Sequence, residues 1–177
     1  MDQAHAASFR GVAFCHVPAE EPIRLERLVS LDGEDDRWNR PGQPTVYLAT
    51  ELPVAMAELA RHLDVAGGDP PVRRRLLGLS LEIDNLLDLR REDVRRTLDG
   101  PALVEAFQDR DVARACAQAA RERRANGLLV PSMAFLDQPS RANLVLFIDA
   151  LGGDMAALVR AQHEGGVVEI RPAAMRG

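Results

Sequence analysis

Glu58 lies beside an apolar stripe at helical spacing (Leu52, Ala55, Met56, Leu59, Leu63), with Arg61 at i+3 and His62 at i+4. A carboxylate so placed can stabilise positive charge developing in a transition state or orient a nucleophile. Arg10 and Arg37 carry planar, permanently charged forks that grip phosphate oxygens in pairs. Tyr47 offers a flat ring for stacking, and Ser132 a hydroxyl that can hold a sugar or phosphate oxygen. Each has an ordinary alternative. Glu58 and Arg37 can be solvated surface charges, the latter among Asp35, Asp36 and Asn39. Tyr47 can be a half-buried strand tyrosine, Ser132 a turn residue after Pro131, and Trp38, the one tryptophan, a core plug.

Composition narrows the chemistry. The 177 residues are 46% hydrophobic and 28% charged, the balance of a globular protein, and the length suits one domain spanning residues 1–177. With 22 basic against 27 acidic residues the net charge is −5, and every basic residue is Arg. A net acidic chain is poorly suited to direct nucleic-acid binding, so an RNA-cleaving role ranks last; a small phosphorylated ligand stays open. Cys15 and Cys116 are far apart, with no C-x-x-C and no His pair at ligand spacing, so neither a zinc site nor a disulfide scaffold is expected. The start, MDQAHAASFRGVAF, lacks a signal-peptide pattern, and no apolar run approaches a membrane span, so a cytoplasmic protein is expected.

The elements that must position these side chains can be read from spacing and breakers. Phe9–Cys15 and Thr45–Thr50 read as strands, the second leading through Thr50, a candidate N-cap, and Pro53 into a helix ending near Leu63. Leu76–Ile83 reads as a strand, and Asp84 as the start of a charged helical middle with pieces at Arg91–Leu98 and Asp109–Ala125. Two apolar runs follow, Leu128–Val130 and Leu144–Ile148, around a polar loop able to host a site. A short helix after Gly152-Gly153-Asp154 to about Gln162 and a strand Val167–Ile170 complete the chain. The sum is a mixed α+β domain with helices covering the sheet, without a repeating βαβ series.

Taken jointly, Arg10, Arg37-Trp38-Asn39 with Gly42, Tyr47 in an apolar strand, Glu58 on the next helix, and Gly127 through Pro131-Ser132 ahead of Asn143-Leu144-Val145-Leu146-Phe147 resemble the RES domain family, over about residues 9–148. That family comprises toxins of bacterial toxin–antitoxin pairs. The resemblance implies a single α+β domain similar to the ADP-ribosyltransferase toxin fold, and consumption of NAD⁺ as substrate. The implied reaction is phosphorolysis with inorganic phosphate as co-substrate, giving nicotinamide and ADP-ribose 1″-phosphate; hydrolysis or protein ADP-ribosylation are the enzymatic alternatives, and a catalytically silent interaction module on the same fold is the alternative of another class. By motif position the resemblance implies Glu58, Arg37 and Tyr47 as catalytic residues, and Arg10, Arg37, Tyr47, Ser132 and Asn143 as NAD⁺-binding ones. Ser140 is a second candidate serine in the same loop. Asp36 stands where the family usually has Gly, and an added carboxylate beside Arg37 is expected to weaken an anion site. An Xre-type helix-turn-helix antitoxin is the implied partner; self-association is left open, and the scheme requires no metal. Neither G-x-G-x-x-G nor a P-loop is present, so the dinucleotide must be held in another way.

Overall fold

The structure, a computed structural model, describes residues 6–31, 36–65, 72–138 and 140–170, with the side chains of 62–65 and 170 outside the description. Its elements are β1 (Ala6–Pro18), β2 (Val29–Ser30), β3 (Thr45–Ala49), α1 (Leu52–Val65), β4 (Val72–Asp88), α2 (Glu92–Thr97), α3 (Arg110–Glu122), β5 (Gly127–Pro131), β6 (Ala142–Phe147), α4 (Met155–Leu158) and β7 (Val159–Ile170). Single 3₁₀ turns at Leu25–Leu28 and Val104–Gln108 precede β2 and α3. No helix among the described residues is long and apolar enough to cross a membrane.

The strand pairings close on themselves. β1 meets β3 at Phe14 and Ala49, β3 pairs β6, β6 pairs β5, β5 runs parallel to β4, and β4 returns to β1 along nearly its whole length. β2 adds to β3, and β7 to the other side of β4. Two cores follow from the period-2 alternation of strands. Leu129, Leu144 and Leu146 point inward with Leu77, Leu79 and Leu81, whereas Leu128, Val130, Val145 and Phe147 face a second core built with Leu89, Val94, Phe107, Ala113 and Ala117. Strands buried on both faces read as continuous apolar runs, which is why LLV and LVLF stand out in the sequence. Trp38 joins the second core as a plug, edge-on to Phe107 with ring centroids 4.9 Å apart.

Two readings of the sequence are corrected. Asp84 does not begin a helical segment: residues 84–88 continue β4, because Leu86 and Leu87 pair with β1 on one side and with Gly127 and Leu128 of β5 on the other. Nor does the last helix run to Gln162. It stops at Leu158, and residues 159–162 already belong to β7, where Ala161 and Gln162 pair with Ser80 and Leu79. In both places long-range ladder bonds outweigh a weak local helix preference.

Candidate active site

The geometry is set first by how α1 leaves the sheet. Thr50 ends β3 by bonding through its N–H (3.0 Å) and hydroxyl (2.8 Å) to the carbonyl of Ala142 on β6, which fixes the first turn against that strand. Val54, Ala55 and Leu59 are buried, and Val54 and Ala55 pack with Ala49 and Phe14. Glu58, next to that stripe, therefore points along the sheet toward the end of β5, and its side chain is only 16% exposed. β5 comes close enough because position 127 is glycine: a Cβ there would lie 2.2 Å from the Val145 carbonyl oxygen.

One oxygen of Glu58, Oε1, gathers four donors: the Ser132 hydroxyl at 2.7 Å, the Met133 N–H at 2.8 Å, the Asn143 side-chain amide at 3.0 Å and the Ala134 N–H at 3.4 Å. Ser132 is fully buried, and its hydroxyl oxygen also accepts from the Ala134 N–H at 3.2 Å. The turn after β5 is thus folded around the carboxylate. The other oxygen, Oε2, faces the Arg61 guanidinium at 4.0 Å, the (i, i+3) neighbour on the same helix.

Across from this group, the Arg37-Trp38-Asn39 segment is clamped from three sides. The Tyr47 hydroxyl donates to Asn39 Oδ1 (2.5 Å) and accepts from the Trp38 N–H (3.0 Å). Arg114 on α3 donates to the Asp36 carbonyl from Nε (3.2 Å) and from the fork (2.8 Å). Arg37 itself donates through one terminal nitrogen to the carbonyls of Phe107 (2.5 Å) and Gln108 (2.8 Å), just ahead of α3. Those bonds use one arm of its fork and hold the guanidinium over the start of α3. The Asp36 carboxylate accepts from the Ser30 hydroxyl, so the extra acid of this segment is engaged by β2.

The electrostatics tie the two halves together. Burial lowers the Arg37 pKa first, the like charges of Arg61 and Arg110 lower it further, and Glu58 and Tyr47 act in the opposite direction. Burial likewise holds the Tyr47 hydroxyl protonated, far above the ordinary phenol range, and the negative charge of Asp36 adds to this. Arg61, Arg110 and Glu58 thus all act on the half-buried Arg37 guanidinium, a grouping of charge suited to an anionic ligand with a cationic reacting centre.

The structure brings Glu58, Ser132 and Asn143 into direct contact, and Arg37 feels the charges of both Glu58 and Tyr47. It does not bring Arg10 to them: that side chain is 58% exposed and ion-pairs with Asp84 at 2.9 Å. Arg10 lies four residues before Phe14, about 13 Å along the strand from where β1 touches β3. Of the two loop serines, Ser132 meets Glu58, whereas Ser140 offers its backbone carbonyl to Arg90. Arg61 and Arg114 carry no separate signal in the sequence; the i+3 spacing of Arg61 from Glu58 is the one available hint.

Comparisons with known proteins agree with this architecture. The RES domain family model matches residues 28–165. A protein named Toxin Res from Pseudomonas putida is 44% identical over 45 residues, 25% of this chain, and the match spans 31% of that relative's length. Among solved structures, the M. tuberculosis MbcT–MbcA toxin–antitoxin complex contains a similar chain, with a TM-score of 0.64 and 18% identity over 94% of this chain and 87% of that one. The last likeness shows a shared α+β fold.

Proposed function

We propose that this chain, which belongs to the RES domain family, acts as the toxin of a toxin–antitoxin pair by cleaving the N-glycosidic bond of NAD⁺ in the cytoplasm, with inorganic phosphate as the acceptor. The observation that carries this reading is the Glu58 carboxylate, held by four donors on one oxygen and facing Arg61 with the other. Cleavage builds positive charge on the ribose as nicotinamide departs. A carboxylate whose orientation is fixed before the reaction stabilises that charge without reorganising. Arg37 supplies the donors its backbone bonds leave over to the pyrophosphate, and Tyr47, its hydroxyl committed to Asn39, presents its ring to the nicotinamide. Ser132 and Asn143 act through Glu58. The neutralising partner is proposed to be an Xre-type antitoxin.

The test is nicotinamide release from NAD⁺ by the purified chain, in phosphate buffer and in a buffer free of phosphate. Release in both, with ADP-ribose 1″-phosphate formed where phosphate is present, is the expected result. No release under either condition overturns the reading and favours an interaction module on the same fold.

A further inference from the structure

We propose that Arg61 is the binding residue for the acceptor oxyanion, inorganic phosphate, and decides between phosphate and water as the attacking group; this rests on the NAD⁺ cleavage proposed above. The geometry distinguishes Arg61 as the basic residue that approaches the carboxylate of Glu58 itself. Arg37 is tied to two backbone carbonyls, and Arg114 to the Asp36 carbonyl. Among the described residues Arg61 has one polar contact, the loose 4.0 Å approach to Glu58 Oε2, and its side chain is 38% exposed. A guanidinium carries five donors in a fixed fork. One long ion pair leaves that fork unspent beside the carboxylate, on the accessible side of α1.

Charge explains why such a group is needed there. A phosphate dianion approaching the ribose carbon must pass a carboxylate, and the two negative charges repel. Arg61, facing Oε2, offsets that repulsion and can take two phosphate oxygens at once. Water meets no such repulsion. In the phosphorolytic step a phosphate oxygen forms the bond to C1″ of the ribose while the bond from C1″ to the pyridinium nitrogen breaks. The electron pair of the broken bond stays on that nitrogen, so nicotinamide leaves neutral and HPO₄²⁻ becomes the monoester without surrendering a proton to the protein. In the hydrolytic step the attacking water must lose a proton, and Glu58 Oε2 is placed to take it. Removing the Arg61 charge therefore penalises phosphate and leaves the route through water in place.

The experiment measures both products, ADP-ribose 1″-phosphate and ADP-ribose, over a phosphate titration at fixed NAD⁺ for wild type, Arg61→Gln and Arg61→Lys. Arg61→Gln should raise the KM for phosphate and lower the ratio of phosphorolysis to hydrolysis by about tenfold or more, with KM for NAD⁺ within about twofold. Arg61→Lys, which keeps the charge and loses the fork, should recover part of the ratio. An unchanged ratio in Arg61→Gln, or a KM for NAD⁺ that rises as much as that for phosphate, overturns the assignment. Wild type that releases nicotinamide but forms only ADP-ribose at every phosphate concentration also overturns it while sparing NAD⁺ cleavage. Wild type that releases no nicotinamide defeats both.

Discussion

Concentrating four donors on a single carboxylate oxygen fixes the plane of Glu58, and the two roles of that plane can be separated by mutation. Glu58→Gln keeps an oxygen for Ser132, Met133 and Asn143 to bond but puts a neutral amide opposite Arg61. We expect steady-state kinetics to show kcat lowered by about 10²–10³-fold with KM for NAD⁺ little changed, since the lost charge acts mainly in the transition state. Ser132→Ala leaves Oε1 short of its nearest donor in a buried place, a cost of about 1–3 kcal/mol. It should lower kcat less than Glu58→Gln does. Ser140→Ala, on an exposed turn contributing only its carbonyl, should match wild type within about twofold. The pairing of Glu58 with Ser132 was hidden in the sequence because 74 positions separate them and either residue alone reads as surface chemistry. What the motif conveyed was membership in one site; that the serine serves the glutamate, and is itself fully buried, depends on the turn after β5.

At the scale of elements, the site depends on connections that carry no chemistry of their own. Arg95 is buried on α2 and donates to the carbonyls of Leu89, Arg90, Pro101 and Ala102, stapling the segment between β4 and the 3₁₀ turn whose end holds Arg37. Arg95→Leu strands those four acceptors, so chemical denaturation should show a loss of about 3–5 kcal/mol. Arg95→Lys should restore little, since one ammonium cannot span the same fork. Gly127→Ala presses a methyl group into the Val145 carbonyl and must part β5 from β6, which should lower both stability and activity, because the Ser132 turn follows directly. Elements with strong local signals were legible: α1, α3 and the apolar strands β5 and β6 lie within a few residues of where spacing and breakers put them. The ends of β4 and β7 were not. Residues 84–88 and 159–162 are polar or of mixed pattern, and their extended form comes from partners far along the chain, β1 and β5 in one case and β4 in the other.

On the scale of the whole molecule, two cores divide the labour: the interior of the closed strand circuit holds the fold, and the face covered by α2 and α3 carries the Arg37 segment through Trp38. Glu58 stands at the margin of this framework, on a helix whose buried stripe is supplied by its neighbours Val54, Ala55 and Leu59. Replacing its charge while keeping its acceptor oxygen therefore subtracts chemistry and spares the core. This separation makes a cellular test clean. Expression of the chain without a neutralising partner should arrest bacterial growth, and intracellular NAD⁺ should fall before protein or RNA synthesis changes, because depletion of a shared cofactor precedes its consequences. Glu58→Gln, which keeps the acceptor oxygen, should weaken both effects strongly at equal protein level and with a thermal midpoint close to wild type, whereas Glu58→Ala should abolish both with a lowered midpoint, because Ser132, Met133 and Asn143 lose their acceptor. Arg95→Leu should also relieve arrest, but by lowering the amount of folded protein, a difference that soluble yield and circular dichroism distinguish. Arg61→Gln belongs between these extremes: if hydrolysis persists when phosphorolysis is impaired, NAD⁺ should still decline, more slowly, with ADP-ribose accumulating in place of its 1″-phosphate. Growth arrest at normal NAD⁺ would remove the cofactor as the target, and arrest by Glu58→Ala equal to wild type would show that toxicity does not depend on this carboxylate.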